Sequence, residues 1–262
     1  MKLLVNRLNR LWQRELFDPT WLGLLINPFY FARRSLVQSL RPLLGQLSGE
    51  VLDVGCGRKP YRHFVQATRY VGVDLDTPEL RELGAADIFY DGERIPVEAE
   101  SFDAVVCSQV LEHVFTPVGF IGELYRVLRI GGQLVLTTPF VWDEHSQPYD
   151  FGRYSSFGLR RVLEDAGFEI IAQRKTCADC RVLVQLAAAF VYKLVSLRNR
   201  RLAMAARMLL IAPLNVFGSI VAFLLPANPD LYLDNVVLAR KPKSESPLAR
   251  EGDSFVKERV CT

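Results

Sequence analysis

Glu50-Val51-Leu52-Asp53-Val54-Gly55-Cys56-Gly57-Arg58-Lys59-Pro60, followed by Tyr70-Val71-Gly72-Val73-Asp74, decides the fold. Val51 to Val54 is an apolar run broken only by an acid, the pattern of a strand buried on both faces. Gly55 and Gly57 remove the Cβ atoms that would keep backbone amides from a ligand. Asp74 closes the next apolar run, where a carboxylate can accept both hydroxyls of a ribose lying across the strand ends of an open α/β sheet. Strand, glycine turn and acid-tipped strand together predict a nucleotide-cofactor site.

The wording of the turn separates two cofactors. A dinucleotide fingerprint requires Gly-x-Gly-x-x-Gly, and its third glycine position is Pro60. Asp53 stands where a pyrophosphate would be repelled. An acid there suits a cofactor with an amine and a sulfonium and no phosphate, which is S-adenosylmethionine. Asp53-Val-Gly55-Cys-Gly57 resembles motif I of the class I S-adenosylmethionine-dependent methyltransferases, with Lys59 in place of that family's usual third glycine.

The resemblance continues through Asp91-Gly92-Glu93-Arg94-Ile95-Pro96, Ser101-Phe102-Asp103-Ala104-Val105-Val106-Cys107, Ser108-Gln109-Val110-Leu111-Glu112-His113 and Tyr125 to Pro139. It covers roughly residues 48–177 and a last strand near 231–240. It implies that Asp53, Gly55, Cys56, Gly57, Asp74, Leu75, Asp91, Gly92, Gln109 and Val110 bind the cofactor, with Asp91 on the adenine side and Gln109 and Val110 beside the methionine moiety.

Outward from the motif, strand-like runs at 48–54, 69–74, 86–90, 102–107, 133–138 and 168–174 alternate with amphipathic helices. One helix starts at Pro117 with Thr116 as its expected cap and Gly131 as its stop; another starts at Ser155 or Ser156 and stops at Gly167. The expected architecture is α/β: a Rossmann-like, doubly wound, mostly parallel seven-stranded sheet. Residues 1–47 form an N-terminal helical extension, 48–177 the cofactor-binding core, 178–230 a helical insert between the last two strands, 231–240 the last strand, and 241–262 a disordered tail.

The 262 residues are 50% hydrophobic, enough for a sizeable core. The five cysteines form no disulfide framework, and no secretory signal is read at the start, so the expected compartment is the reducing cytoplasm. Cys177-Ala-Asp-Cys180 has the spacing of half a zinc site, but a single pair falls short of four ligands, and no metal is expected.

A net charge of +3 conceals a segregation. Residues 1–47 hold seven Lys/Arg against two acids and residues 178–230 hold six against two, leaving −6 on the remainder. Both basic regions are also apolar. Ala205–Leu225 approaches membrane-spanning length, and Arg207, Pro213, Asn215 and Gly218 weaken that reading. Two readings of the insert stand side by side: a helical subdomain packed on the N-terminal segment, or an anionic-membrane patch that makes the protein peripheral on the inner membrane face. Nucleic acid is not an expected partner, because the bases are interleaved with Leu, Val and Ala.

The segment Phe140 to Ser155 leaves the fifth strand at its carboxyl end, dense in acids and aromatics. Methyl transfer to a hydroxyl needs alignment and a base. His145 is the first candidate, with Asp150 or Glu144 orienting it; a histidine bonded to a backbone carbonyl is the structural alternative. Tyr149, Arg153 and Tyr154 are candidate acceptor-binding residues. Asn27 to Arg34, Gly57 to Tyr61, Pro148 to Phe151 and Leu231 to Val237 together resemble the type-11 group associated with bacterial surface polysaccharides. That resemblance implies methylation of an oxygen on a sugar or lipid-linked glycan precursor; a quinone-like lipid acceptor fits the same insert. The rivals are a non-catalytic scaffold and, less well supported, a nicotinamide-dependent oxidoreductase. The acceptor atom and the oligomeric state are not legible.

Overall fold

The computed structural model describes residues 14–195 and 200–243, excluding the side chains of residues 200, 201, 203, 204 and 207. Arg198, the side chains of Arg200, Arg201 and Arg207, and the expected tail beyond residue 243 therefore lie outside the described residues.

Seven strands form one sheet: β1 Ser48–Val54, β2 Gln66–Leu75, β3 Ile88–Tyr90, β4 Phe102–Ser108, β5 Leu128–Pro139, β6 Glu169–Lys175 and β7 Asp234–Arg240. Their order is β3-β2-β1-β4-β5-β7-β6, and the pairings from β3 through β5 are parallel. The helices are α1 Gly23–Ile26, α2 Tyr30–Leu44, α3 Pro78–Leu83, α4 Pro117–Val127, α5 Ser156–Asp165, α6 Arg181–Leu194 and α7 Arg200–Leu224. The expected Rossmann-like sheet is present. Chain order reverses between β1 and β4, so their carboxyl ends open the crevice in which such sheets bind ligands.

Two compact units make up the chain. Of the described residues, the sheet unit comprises 43–138, 146–173 and 237–243; the helical unit comprises 14–42, 139–145, 174–195 and 200–236. In the sheet unit Leu52, Val54, Val105, Leu134 and Leu136 meet Ile121, Leu124 and Leu163 of α4 and α5 in one buried cluster. The four residues Val51 to Val54 are all buried, as expected of a central parallel strand.

Several local expectations are corrected. Thr116 makes no side-chain cap bond, and α4 ends at Val127 because Leu128 already has the extended conformation that begins β5. Gly131 therefore does not stop the helix; with φ of 82° it sits inside β5, beside a register shift against β4. Ser155 does cap α5, accepting from the Gly158 amide at 3.1 Å. Lys241, expected in the tail, is buried, and its ammonium donates to the Leu128 carbonyl at 2.9 Å and to Glu100 at 3.1 Å.

In the helical unit α1 and α6 each pack against α7. Buried polar side chains fix these contacts. Asn215 donates to the carbonyls of Leu24 and Asn27 at 3.0 and 3.1 Å, satisfying acceptors at the end of α1. Gln185 accepts from the Ala32 amide at the start of α2 and donates to the Pro28 carbonyl. Gly218 lets α7 approach Val184 and Phe31, which a Cβ would meet at 2.9 and 3.0 Å. Among the described residues no helix is long and apolar enough to cross a membrane.

Candidate functional site

The glycine turn is anchored to its neighbouring strand. The amides of Gly55 and Cys56 donate to the Val73 carbonyl at 2.9 and 3.2 Å, turning the chain sharply off β1. Gly55 has φ of 70°, and a Cβ there would overlap Val110. Gly57 has φ of 48° and its Cβ position is open space, so the turn leaves a cradle beside its backbone. The Gly57 amide donates to Asp74 at 2.8 Å, and the Leu75 amide donates to the other oxygen of the same carboxylate at 2.9 Å. Asp74 is thereby held, buried, at the mouth of the turn, with acceptor capacity left for a diol.

Asp53 lies beneath the turn, and a residue not singled out from the sequence holds it: the Tyr70 hydroxyl donates to it at 2.7 Å. Burial pushes the Asp53 carboxyl up to about 6, against the opposing pull of Tyr70. Burial also pushes the Cys56 thiol up to about 12 and raises Cys107, so both are unreactive thiols. Lys59 occupies the place of the third glycine and adopts the left-handed backbone a glycine would supply, with φ of 53°. Its ammonium pairs with Asp87 at 2.6 Å. Despite partial burial, Lys59 and the Gly72 amide hold the Asp87 carboxyl below its ordinary range. The Lys59 cation is thus committed to a carboxylate, a poor arrangement for gripping a pyrophosphate.

The remaining expected cofactor positions border the same strand ends. The Asp91 side chain caps its own turn by accepting from the Glu93 amide at 2.9 Å. Gly92, at φ of 92°, comes close to Leu75, whose Cδ2 lies 3.1 Å from where a Cβ would be. Gln109 leaves β4 in left-handed conformation, φ 59°, secured by its amide on the Thr137 carbonyl and by its side chain on the Thr137 hydroxyl. Such a strained non-glycine backbone is characteristic of ligand clamps. Val110 packs into the space left by Gly55.

Beside Val110, the segment 149–152 is bound to residues 112 and 113. Phe151 and Gly152 donate their amides to the Glu112 carbonyl at 2.8 and 3.1 Å, and His113 Nδ1 contacts the Tyr149 carbonyl at 2.6 Å. A carbonyl can only accept, so that nitrogen carries the proton. Tyr149, Phe151 and Phe115 form an exposed chain of edge-on rings with centroids 6.5 and 5.3 Å apart. Phe115 was not signalled by the motif pattern; exposure of a large aromatic beside a strand end is visible only in the fold. Asp150 receives both terminal nitrogens of Arg153, at 2.6 and 2.7 Å. Tyr154 packs on the sheet-unit core, and burial followed by the Glu112 charge raises its hydroxyl pKa.

His145 belongs to the helical unit, whereas Asp150 belongs to the sheet unit. His145 Nδ1 lies 3.3 Å from the Asp143 carbonyl, the backbone bonding weighed as its structural alternative. Its neighbours are pinned to α6: Lys193 pairs with Asp143 at 2.7 Å and donates to the Glu144 carbonyl. Cys177 is buried with a thiol pushed up to about 12, and Cys180 precedes α6; both are free thiols.

The residues present fit S-adenosylmethionine: an open glycine cradle, a fixed carboxylate for a ribose diol and a buried acid suited to an ammonium. Comparison with known proteins agrees. Residues 52–136 match the family model described as "Methyltransferase domain". A probable S-adenosylmethionine-dependent methyltransferase of Mycolicibacterium smegmatis is 30% identical over 56% of this chain and 62% of its own length. A tRNA U34 carboxymethyltransferase of Hahella chejuensis is 34% identical over 50% of this chain and 47% of its own. A ubiquinone biosynthesis O-methyltransferase of Paracidovorax citrulli is 32% identical over 43% and 50%. The chain thus spans about half to three-fifths of these relatives. Among solved structures, the 4+2 cyclase SpnF superposes with a TM-score of 0.52 at 22% identity, covering 81% of this chain and 82% of that one. A Haemonchus contortus phosphoethanolamine N-methyltransferase 2 in complex with S-adenosyl-L-methionine gives 0.52 at 17% identity, covering 87% and 59%. These likenesses bear on the fold.

Proposed function

We propose, from the premise that residues 52–136 are a class I S-adenosylmethionine-dependent methyltransferase domain, that the chain transfers the methyl group of this cofactor to an oxygen of a sugar or lipid-linked glycan precursor. The observation that carries the cofactor half is Asp74, held by the Gly57 and Leu75 amides at the mouth of an open glycine turn while Lys59 is turned to Asp87. The cofactor supplies an electrophilic methyl on sulfur; the protein must orient the acceptor and receive its proton. Asp53 attracts the ammonium of the methionine moiety and Asp74 the ribose hydroxyls.

The acceptor half rests on the exposed rings of Phe115, Tyr149 and Phe151, a surface on which the apolar face of a sugar or a quinone ring can stack. In this reading His145, in the segment that leaves β5, is the residue that takes the acceptor proton. Asp150 holds both terminal nitrogens of Arg153, so in this reading the pair fixes the segment that carries Tyr149 and Tyr154 as the acceptor-binding side chains. Peripheral attachment to the inner membrane face, and the exclusion of nucleic acid, belong to the same proposal.

Calorimetric titration with S-adenosylhomocysteine and with NADH tests it. Binding of the former alone, lost in Asp53→Ala and Asp74→Ala proteins that still melt cooperatively, is the expected result. Binding of NADH, or no binding by folded protein, overturns it. Transfer of labelled methyl to a lipid-linked glycan extract, and not to quinone precursors or tRNA, then tests the acceptor.

A further inference from the structure

Helix α7 is apolar on the side that faces away from its own unit. Ile211, Asn215 and Gly218 are buried against the rest of the helical unit, as helical periodicity requires of one face. Leu209, Val216, Phe217, Ile220, Phe223 and Leu224 fall on the opposite arc of about 120°, and all six are exposed, Phe223 at 90% and Leu209 at 76%. A surface helix ordinarily places charge there. Trp21 and Leu25, on and just before the α1 helix that packs against α7, are exposed as well. The patch is far from the usual scatter of single apolar side chains.

Charge selects the occupant. From Cys180 to Pro229 the sequence contains six Lys/Arg and no acid. Arg181 and Lys193 pair with Asp179 and Asp143. The other four, Arg198, Arg200, Arg201 and Arg207, fall within one stretch of ten residues that precedes Leu209 in the sequence. An anionic bilayer offers opposite charge to this basic stretch at its surface and hydrocarbon beneath for the apolar arc. We infer that α7 lies in the plane of an anionic lipid bilayer, with Phe217, Ile220 and Phe223 inserted below the headgroups and Trp21 at the interface. This rests on the peripheral-attachment part of the proposed function and adds the surface and its orientation.

Sedimentation of the full chain with phosphatidylcholine vesicles, with and without one-third phosphatidylglycerol, tests the inference, alongside the triple variant Phe217→Glu, Ile220→Glu, Phe223→Glu. The expected results are binding to anionic vesicles alone, weakening with salt, and a loss of ~100-fold in the variant, with S-adenosylhomocysteine affinity unchanged. Quenching by brominated lipid of the fluorescence difference between wild type and Trp21→Phe, in which Trp12 and Trp142 remain, gives the same answer without a charged variant. Equal binding by wild type and triple variant overturns this surface while sparing peripheral attachment. No binding by wild type overturns both, and a dimer that the triple variant dissociates makes the face a self-interface. The cofactor titration stands apart from all three outcomes.

Discussion

The two units are held together by different means. In the sheet unit, strands and helices meet through aliphatic side chains, and the polar groups that matter cluster at the strand ends: Asp53, Asp74 and Gln109. In the helical unit, polar side chains are the fasteners; Asn27, Gln185 and Asn215 are buried and bonded to backbone, while much of the apolar content is left outside. The helical unit thus turns polar groups inward and apolar groups outward, the reverse of the sheet unit.

The sharpest break in the comparison is Gly55→Ala. A methyl group in left-handed backbone that also overlaps Val110 should weaken S-adenosylhomocysteine by about 100-fold, the sum of a strained φ and overpacking. The helical unit should be indifferent to it, which hydrogen exchange can show. Conversely, Asn215→Leu removes the donor from one buried and one part-buried carbonyl and should cost about 2–3 kcal/mol. Its exchange signature belongs in α1 and α7, with cofactor affinity retained.

A pH experiment separates the units further. Asp53 is raised in the folded protein from its ordinary 3.8 to about 6. The folded state therefore binds this proton more tightly than the unfolded chain does. Asp53's contribution to stability is fully present below about pH 4 and lost as pH rises through about 6, an effect on the order of 3 kcal/mol. Cofactor affinity should move the other way, rising about tenfold between pH 5 and 7 as the carboxylate ionises. Calorimetry across that range reads both trends. Tyr70→Phe should shift the midpoint upward by removing the hydroxyl that favours the ionised form; a midpoint that stays put would remove Tyr70 from the site. The smallest expected effect is that of Lys59→Gly, within about 1 kcal/mol on melting, because relief of the positive φ offsets loss of the partly exposed Asp87 pair.

Legibility followed the same division. That Asp53, Gly55, Gly57 and Asp74 lie around one turn was legible from spacing, because a tight turn between two strands needs those residue types within a few positions of each other. Tyr70 was missed because its partner Asp53 lies on the adjacent strand, and only register brings the two together. Gly131 reads as a helix stop because a glycine after an amphipathic run usually is one; the strand begins earlier, with Leu128 buried in the core. Lys241, read as tail, is fixed by carbonyls that belong to the α4–β5 junction.

The sequence by itself determined the strand-turn-strand that defines the cofactor site, the alternation that gives a parallel sheet, and the segregation of basic, apolar residues into the flanks. Those are local or periodic properties, carried by backbone preference and hydrophobic spacing. Tertiary structure alone decided which polar side chains fasten the helices, that Phe115 joins Tyr149 and Phe151 in one exposed set, and that the apolar arc of α7 faces outward. Each depends on residues distant in the chain, and an apolar helix has the same composition whether its greasy face is turned to a core or to lipid.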